Sequence, residues 1–130
     1  MLPDSDRRKL ALDWLRFARS DLQLASLEPH DDILPETLAF HAQQAVEKGF
    51  KAVLTAYGVD YPPTHNLNVL RELIPADIDL PDVVASAAGL SIYAVSSRYP
   101  QDESAMQCDE LADAVKRAQA VMRWVEQILG

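Results

Sequence analysis

Apolar side chains recur every three to four residues over long stretches of the sequence, a spacing typical of amphipathic helices. The first predicted helix begins at Asp4 or Ser5, both good N-caps, and ends near Leu27. Its predicted buried stripe consists of Leu10, Trp14, Phe17, Leu22 and Ala25. A second helix begins at Pro35, whose missing N–H costs nothing in a first turn, and reaches about Tyr57.

Proline, glycine and polar capping residues separate the next elements. Gly58 stands where a left-handed C-terminal cap ends the second helix, and two prolines follow it closely. Thr64 or Asn66 caps a short third helix over residues 67–73. Pro81 opens a fourth, alanine-rich helix that reaches about Ser96.

The last predicted helix begins at Asp102 or Ser104 and ends near Leu129. One of its faces is apolar throughout: Leu111, Val115, Ala118, Met122, Val125 and Leu129. No internal repeat or flexible linker interrupts the pattern, so residues 1–130 are expected to form one domain. The fold expected is all-α, an antiparallel up-down bundle of four main helices plus one short helix.

Composition and charge narrow the functional classes. The net charge of −8 disfavours non-specific binding to nucleic acid or to an anionic membrane, because both surfaces repel the chain. Cys108 is the single cysteine, no zinc-ligand spacing occurs and no cofactor motif is present, so neither a metal nor a cofactor is expected. No apolar run has signal-peptide or membrane-spanning length, and a cytoplasmic protein is therefore expected.

The second helix carries a cationic polar stripe. At 100° per residue one face is apolar, with Ala39, Ala42, Val46, Gly49, Val53 and Tyr57. His41, Gln44, Lys48 and Lys51 gather nearly opposite it, flanked by Phe40. Two interpretations stay open: a solvated helix face, or a surface that binds a phosphate or a partner's carboxylates, where an exposed Phe40 would suggest a protein contact.

Two loops hold the remaining candidates. Capping explains Thr64 and Asn66, whereas His65 between them is available as a base, a ligand or a structural hydrogen-bonding group. Arg98 and Tyr99 precede Pro100 at the junction of the last two helices. Arg98 suits either an anion or the carbonyl groups at the end of the fourth helix.

Four segments together carry a family resemblance: ALDWLRFARSDLQLA, FHAQQAVEKGFKAVLTAYGVDYP, THNL and YAVSSRYP. Their order resembles the HEPN family, named for higher eukaryotes and prokaryotes nucleotide-binding. The resemblance covers nearly the whole chain and implies a helical bundle, usually a homodimer, often encoded beside a minimal nucleotidyltransferase as a two-protein system of the toxin–antitoxin kind.

Many HEPN members resemble metal-independent ribonucleases that use an arginine and a histidine separated by four to six residues. Counted from Arg98, that window holds Glu103, Ser104 and Ala105, and no histidine follows His65. The sequence thus departs from the standard ribonuclease motif, although Glu103 stays open as a substitute base.

The resemblance therefore favours the nucleotidyltransferase-associated type, a dimeric, non-catalytic subunit that binds a nucleotide, a substrate or its partner enzyme. Its implied ligand contacts are His41, Gln44, Lys48, Lys51, His65, Arg98 and Tyr99. A divergent ribonuclease acting through Arg98 and Glu103, and a purely structural or regulatory bundle, are the two alternatives.

Overall fold

The computed structural model describes residues 4–94 and 106–130. Within these ranges every regular element is helical, and the only β pairing is an isolated bridge between His30 and Ile33. The helices are α1 (Asp4–Ala25), α2 (Pro35–Ala56), α3 (Leu67–Leu73), α4 (Asp82–Ser86) and α5 (Cys108–Leu129), with a 3-10 segment over Ala87–Ala94. The predicted all-α bundle is confirmed. None of the described helices is long and apolar enough to cross a membrane.

Helices α1 and α2 share the most extensive contact among the described elements, and small side chains explain why. Ala11, Ala18 and Ala25 recur every seven residues on α1 and are fully or almost fully buried. They belong to the same core cluster as Ala42 and Ala45 of α2. Methyl groups on both sides allow the two helix axes to approach closely, which favours a long and continuous contact.

The predicted buried stripe of α1 is partly wrong. Leu10 and Phe17 are 42% and 50% exposed, while Leu15 is buried at 3%. Trp14 and Leu22 are half-buried against the core, and only Ala25 is buried as predicted. The core stripe follows the alanines and Leu15, which lie on the side of α1 that packs into the core cluster.

Helix α2 lies at the centre of the bundle, since α1, α5, α3 and the 3-10 segment all pack against it. Its contact with α5 is close: a Cβ atom on Gly49 would lie 3.1 Å from Cγ1 of Val121. Phe50 meets the Trp124 ring edge-to-face at 6.0 Å. The predicted core face of α2 is confirmed except at Tyr57, which is 48% exposed because the helix ends at Ala56.

Most predicted helix ends are confirmed. Pro35 occupies the first turn of α2, and Gly58 adopts a φ of +68° directly after its C-cap. Asn66 caps α3 by accepting a hydrogen bond from the Asn68 N–H at 3.0 Å. These helix ends set the bounds of the α2–α3 loop, which contains His65.

The fourth and last helices differ from the prediction. The fourth is α-helical only to Ser86 and continues as the 3-10 segment, which Ser91 ties to α3 by accepting a hydrogen bond from the Leu67 N–H at 2.8 Å. The last helix runs over Cys108–Leu129, and its predicted starts, Asp102 and Ser104, lie outside the described residues. Met106 is held outside it, because its N–H donates to Oε1 of Glu36 at 3.2 Å.

Candidate functional site

A buried carboxylate on α1 organises the first part of the predicted polar stripe. Oδ1 of Asp21 lies 2.9 Å from Nδ1 of His41, and Oδ2 lies 2.6 Å from Nζ of Lys48. The Asp21 side chain is only 10% exposed, whereas the imidazole is 28% exposed. These three side chains, the Asp21 group, join α1 to α2.

A second buried carboxylate organises the rest of the stripe together with the α2–α3 loop. Oε1 of Glu47 lies 2.7 Å from Nδ1 of His65, and Oε2 accepts a hydrogen bond from Nζ of Lys51 at 3.0 Å. The Gln43 amide donates at 3.4 Å both to Glu47 and to the backbone carbonyl of His65. Glu47, Lys51 and His65 form the Glu47 group.

The two groups share one architecture. In each, one carboxylate oxygen binds a lysine and the other binds a histidine Nδ1. A carboxylate only accepts hydrogen bonds, so Nδ1 carries the proton and Nε2 keeps its lone pair when the imidazole is neutral. In the Glu47 group the carboxylate is 4% exposed and the His65 ring 70% exposed. His65 therefore presents an oriented acceptor to solvent.

The interpretation of the stripe as a solvated helix face is wrong. Lys51 is buried, and His41, Gln44 and Lys48 are half-buried, because α1 and the α2–α3 loop cover this side of α2. Each lysine is also paired with a carboxylate, so the stripe is closer to neutral than its sequence suggests. Phe40 is half-buried and meets the His41 ring edge-to-face at 5.6 Å.

Two aromatic rings enclose the lysine of the Glu47 group. Nζ of Lys51 lies 5.5 Å from the Trp14 ring centroid and 5.8 Å from that of Tyr61, within cation–π range. Tyr61 also lines an open cavity of about 350 Å³ between the start of α1 and the end of α2, together with Arg7, Leu10, Thr55, Gly58, Val59 and Asp60. This volume falls in the range of small-molecule pockets.

The loop candidates divide into two sets. His65 joins the site, while Thr64 and Asn66 serve as turn and cap residues: Oγ1 of Thr64 accepts from the Asn66 N–H at 3.0 Å. Arg98, Tyr99 and Glu103 lie outside the described residues.

The two carboxylates on which the site depends are absent from the candidates predicted from sequence. Asp21 follows Ala18 by three residues and precedes Ala25 by four, so a charge stands on the buried face of α1. Glu47 precedes Lys51 by four residues, the spacing of a helical ion pair, and follows Gln43 by four. The signal in the sequence is an acidic residue at a core position: Asp21 follows Phe17 by four residues and precedes Ala25 by four, so it also lies on the stripe predicted for α1.

The described elements define an α-helical bundle whose central helix holds two histidine–carboxylate–lysine groups. The HEPN domain model matches residues 11–128, so the chain belongs to the HEPN domain family. The match includes both groups and all or most of each helix from α1 to α5.

Two solved structures resemble the whole chain. TT1696 from Thermus thermophilus is 28% identical, with a TM-score of 0.64 and 98% of each chain covered. ST0689, an archaeal HEPN homologue, is 21% identical, with a TM-score of 0.55 and 100% of each chain covered. The second similarity concerns the fold alone. A search of curated proteins found no match.

Proposed function

We propose that this chain is a dimeric HEPN binding subunit that associates with a minimal nucleotidyltransferase and binds a nucleotide or a related substrate. The observation that carries the proposal is the Glu47–His65 pair: a buried carboxylate orients a solvent-exposed imidazole at 2.7 Å. Orientation by a buried partner reduces the entropy lost when a ligand binds. Such a group suits directional recognition better than a freely rotating surface histidine.

The charges of the site indicate which part of a nucleotide it recognises. Glu47 balances Lys51 and Asp21 balances Lys48, so the two groups carry little net charge while their histidines are neutral. A neutral imidazole accepts a hydrogen bond at Nε2, which suits a ribose hydroxyl or a base amino group. We therefore assign the sugar or base to His65, with His41 and Gln44 along α2. Arg98 is kept as the sequence-based candidate for the phosphate, because Lys48 and Lys51 are paired with carboxylates.

Nucleotide binding tests the proposal directly. Isothermal titration with ATP, GTP, CTP and UTP should find at least one ligand, and His65→Ala should weaken its binding by about tenfold or more. His30→Ala is the matched control, because Nδ1 of His30 only accepts a local backbone N–H, that of Asp32, at 3.2 Å. Absence of binding by all four nucleotides, or equal losses in both variants, would contradict the nucleotide role.

The proposed assembly has separate tests. Light scattering coupled to gel filtration should give twice the 14.4 kDa chain mass for a dimer. Co-expression with the nucleotidyltransferase encoded beside the gene should yield a complex that co-purifies over a sizing column. A monomer, or a gene without such a neighbour, would remove the assembly part of the proposal.

A metal-independent ribonuclease is the second candidate, and the Glu47–His65 pair favours it as well. A carboxylate-oriented imidazole with a free Nε2 can accept the proton of an RNA 2′-hydroxyl. Incubation with mixed RNA in EDTA, with His65→Ala and Arg98→Ala as separate controls for contaminating nuclease, tests this candidate. Cleavage by the wild-type protein that both variants lose would favour the ribonuclease. No cleavage by the wild-type protein would favour the non-catalytic binding subunit.

A further inference from the structure

Gln43 is a glutamine in the interior of the bundle. Its side chain is fully buried on α2, and the other side chains of comparable size and burial in the described residues are apolar. A buried amide needs hydrogen-bond partners for its oxygen and for its two N–H groups. The contacts that Gln43 makes therefore indicate its role.

The amide nitrogen of Gln43 joins two parts of the Glu47 group. It lies 3.4 Å from Oε1 of Glu47 and 3.4 Å from the backbone carbonyl oxygen of His65. Both atoms accept hydrogen bonds, and the amide nitrogen carries two N–H groups, so each N–H can serve one acceptor. The reverse orientation of the amide would place its oxygen against two acceptors, so the contacts determine which end of the amide faces the Glu47 group.

The amide oxygen of Gln43 has no hydrogen-bond partner within the described residues. A buried acceptor without a donor costs free energy. Methionine is similar in length and flexible, and it would fill the same space without that cost. Packing alone therefore does not explain a glutamine at position 43, and the explanation lies in the two contacts of its nitrogen.

The first contact fixes the Glu47 carboxylate. Gln43, Glu47 and Lys51 follow one another at intervals of four residues, so they lie along one side of α2. The carboxylate in the middle is held from both directions, because Oε2 accepts from Lys51 at 3.0 Å and Oε1 accepts from Gln43. Oε1 is also the atom that lies 2.7 Å from Nδ1 of His65. Gln43 thus helps to fix the acceptor that binds the imidazole.

The second contact fixes the backbone of His65 itself. The ring is 70% exposed, and side chains on exposed loops ordinarily change rotamer freely. Here the ring is tied to Glu47 and the carbonyl group of the same residue is tied to Gln43. The nearby hydrogen bond from the Leu67 N–H to Ser91 holds the start of α3 and not the histidine. Two ties on one residue restrict the imidazole to the orientation in which its Nε2 is available to a ligand.

We propose that Gln43 is a positioning residue for His65. Its amide holds both the His65 carbonyl group and the Glu47 oxygen that binds the ring, and it thereby sets the direction in which Nε2 of His65 meets the nucleotide. Gln43 is fully buried, so it acts through His65 and not by contact with the ligand. The inference rests on the proposed function in one respect, the contact between His65 and the ligand.

The tautomer of His65 gives the first test. Gln43→Met removes both N–H donors and keeps the length of the side chain. Long-range nitrogen–proton NMR spectra at about pH 8.5, where histidine is ordinarily neutral, show which ring nitrogen carries the proton. His65 of the wild-type protein should carry it at Nδ1, and Gln43→Met should give a mixture of both tautomers. Comparison with His65→Ala assigns the signals.

Thr55→Val is the matched control. Thr55 is also a buried polar residue of α2, and its hydroxyl oxygen lies 3.4 Å from that of Tyr61 in the α2–α3 loop. The variant therefore removes a contact of the same length between the helix and the loop, but one that does not involve His65. The His65 tautomer should match the wild type in Thr55→Val.

Affinity and stability separate positioning from a purely structural role. For whichever of ATP, GTP, CTP and UTP binds the wild-type protein, Gln43→Met should weaken binding by about threefold to tenfold, less than His65→Ala does. The unfolding temperature of Gln43→Met should fall no further than that of Thr55→Val, because the substitution also removes the unpaired buried oxygen. Gln43→Leu repeats these measurements with a second apolar side chain.

Three results would overturn the proposal. They are an unchanged His65 tautomer in Gln43→Met and Gln43→Leu, an equal change of tautomer in Thr55→Val, and a lower unfolding temperature of Gln43→Met that leaves nucleotide affinity unchanged. The tautomer is measured without nucleotide. A wild-type protein that binds none of the four nucleotides would therefore contradict the proposed function, while the spectra would still decide whether Gln43 positions His65.

Discussion

The carboxylate of Asp21 on α1 lies 2.6 Å from the ammonium group of Lys48 on α2, so an ion pair joins the first two helices inside their contact. Its side chains are 10% and 23% exposed, and His41 binds the second carboxylate oxygen. A pair that is mostly shielded from water depends on both members, because loss of one leaves the other charge partly buried without a counter-charge.

Replacement of Asp21 should therefore destabilise the bundle. We expect Asp21→Asn to lower the free energy of unfolding by about 1–3 kcal/mol, less than for a fully buried pair because Lys48 retains some solvent contact. Lys48→Met in the same chain should restore part of the loss. Urea unfolding of the two single variants and the double variant measures the coupling, and strictly additive effects would show that the two side chains do not interact.

The shifted core of α1 leads to a second prediction. Leu15→Ala should lower the free energy of unfolding by about 2–5 kcal/mol, because it empties a buried site. Phe17→Ala should cost less than about 1 kcal/mol, because half of that ring is already in solvent. Denaturant midpoints of the two variants show which one loses more stability. A larger loss in Phe17→Ala than in Leu15→Ala would support the buried stripe predicted from the sequence.

Helical periodicity predicted the fold class, the extents of α1 and α2 and most of the helix ends, because Pro35, Gly58 and Asn66 act through local backbone chemistry. It could not choose between the two apolar stripes of α1. Leu10 and Leu15 are the same residue type, and both belong to a helical repeat. The choice depends on how closely α2 approaches, which is a property of the tertiary contact and not of α1 alone.

The site was predictable in part. The sequence predicts four of the site residues: His41, Lys48, Lys51 and His65. It does not predict their partners, since Asp21 lies 20 residues from His41 and Glu47 lies 18 from His65 along the chain. Carboxylates brought in from another helix or across a loop turn an apparently cationic stripe into two nearly neutral groups. A helical wheel of α2 alone does not contain that information.

The contact between α2 and α5 supports a third prediction. A Cβ atom on Gly49 would lie 3.1 Å from Val121 and 3.4 Å from Val125, both fully buried and stiff at χ1. Gly49→Leu should force these helices apart and cost about 1–3 kcal/mol despite the better helix propensity of leucine. Gly89→Leu is the control, because its nearest atom is the flexible end of Arg117 at 3.8 Å. Equal unfolding temperatures for Gly49→Leu and wild type would contradict the close packing.

Tyr93 leads to a prediction about alkaline pH. Burial raises the pKa of its phenol above the ordinary 10.0, the carboxylates of Glu110 and Asp113 raise it further, and Arg117 opposes them. The unfolded chain ionises this group near pH 10.0, whereas the folded chain keeps the proton to higher pH. The contribution of Tyr93 to stability is therefore complete below pH 10.0, and it declines as the pH rises from there towards the folded-state pKa.

Comparison with Tyr93→Phe isolates this effect, because phenylalanine lacks the ionising group. The difference in unfolding free energy between wild type and Tyr93→Phe should be constant from about pH 7 to 9 and should shift against wild type above about pH 10. Tyr57→Phe is the control, since the Tyr57 side chain is 48% exposed. A difference that does not change with pH for Tyr93→Phe, or that changes equally for Tyr57→Phe, would show that the environment of Tyr93 does not favour its neutral form.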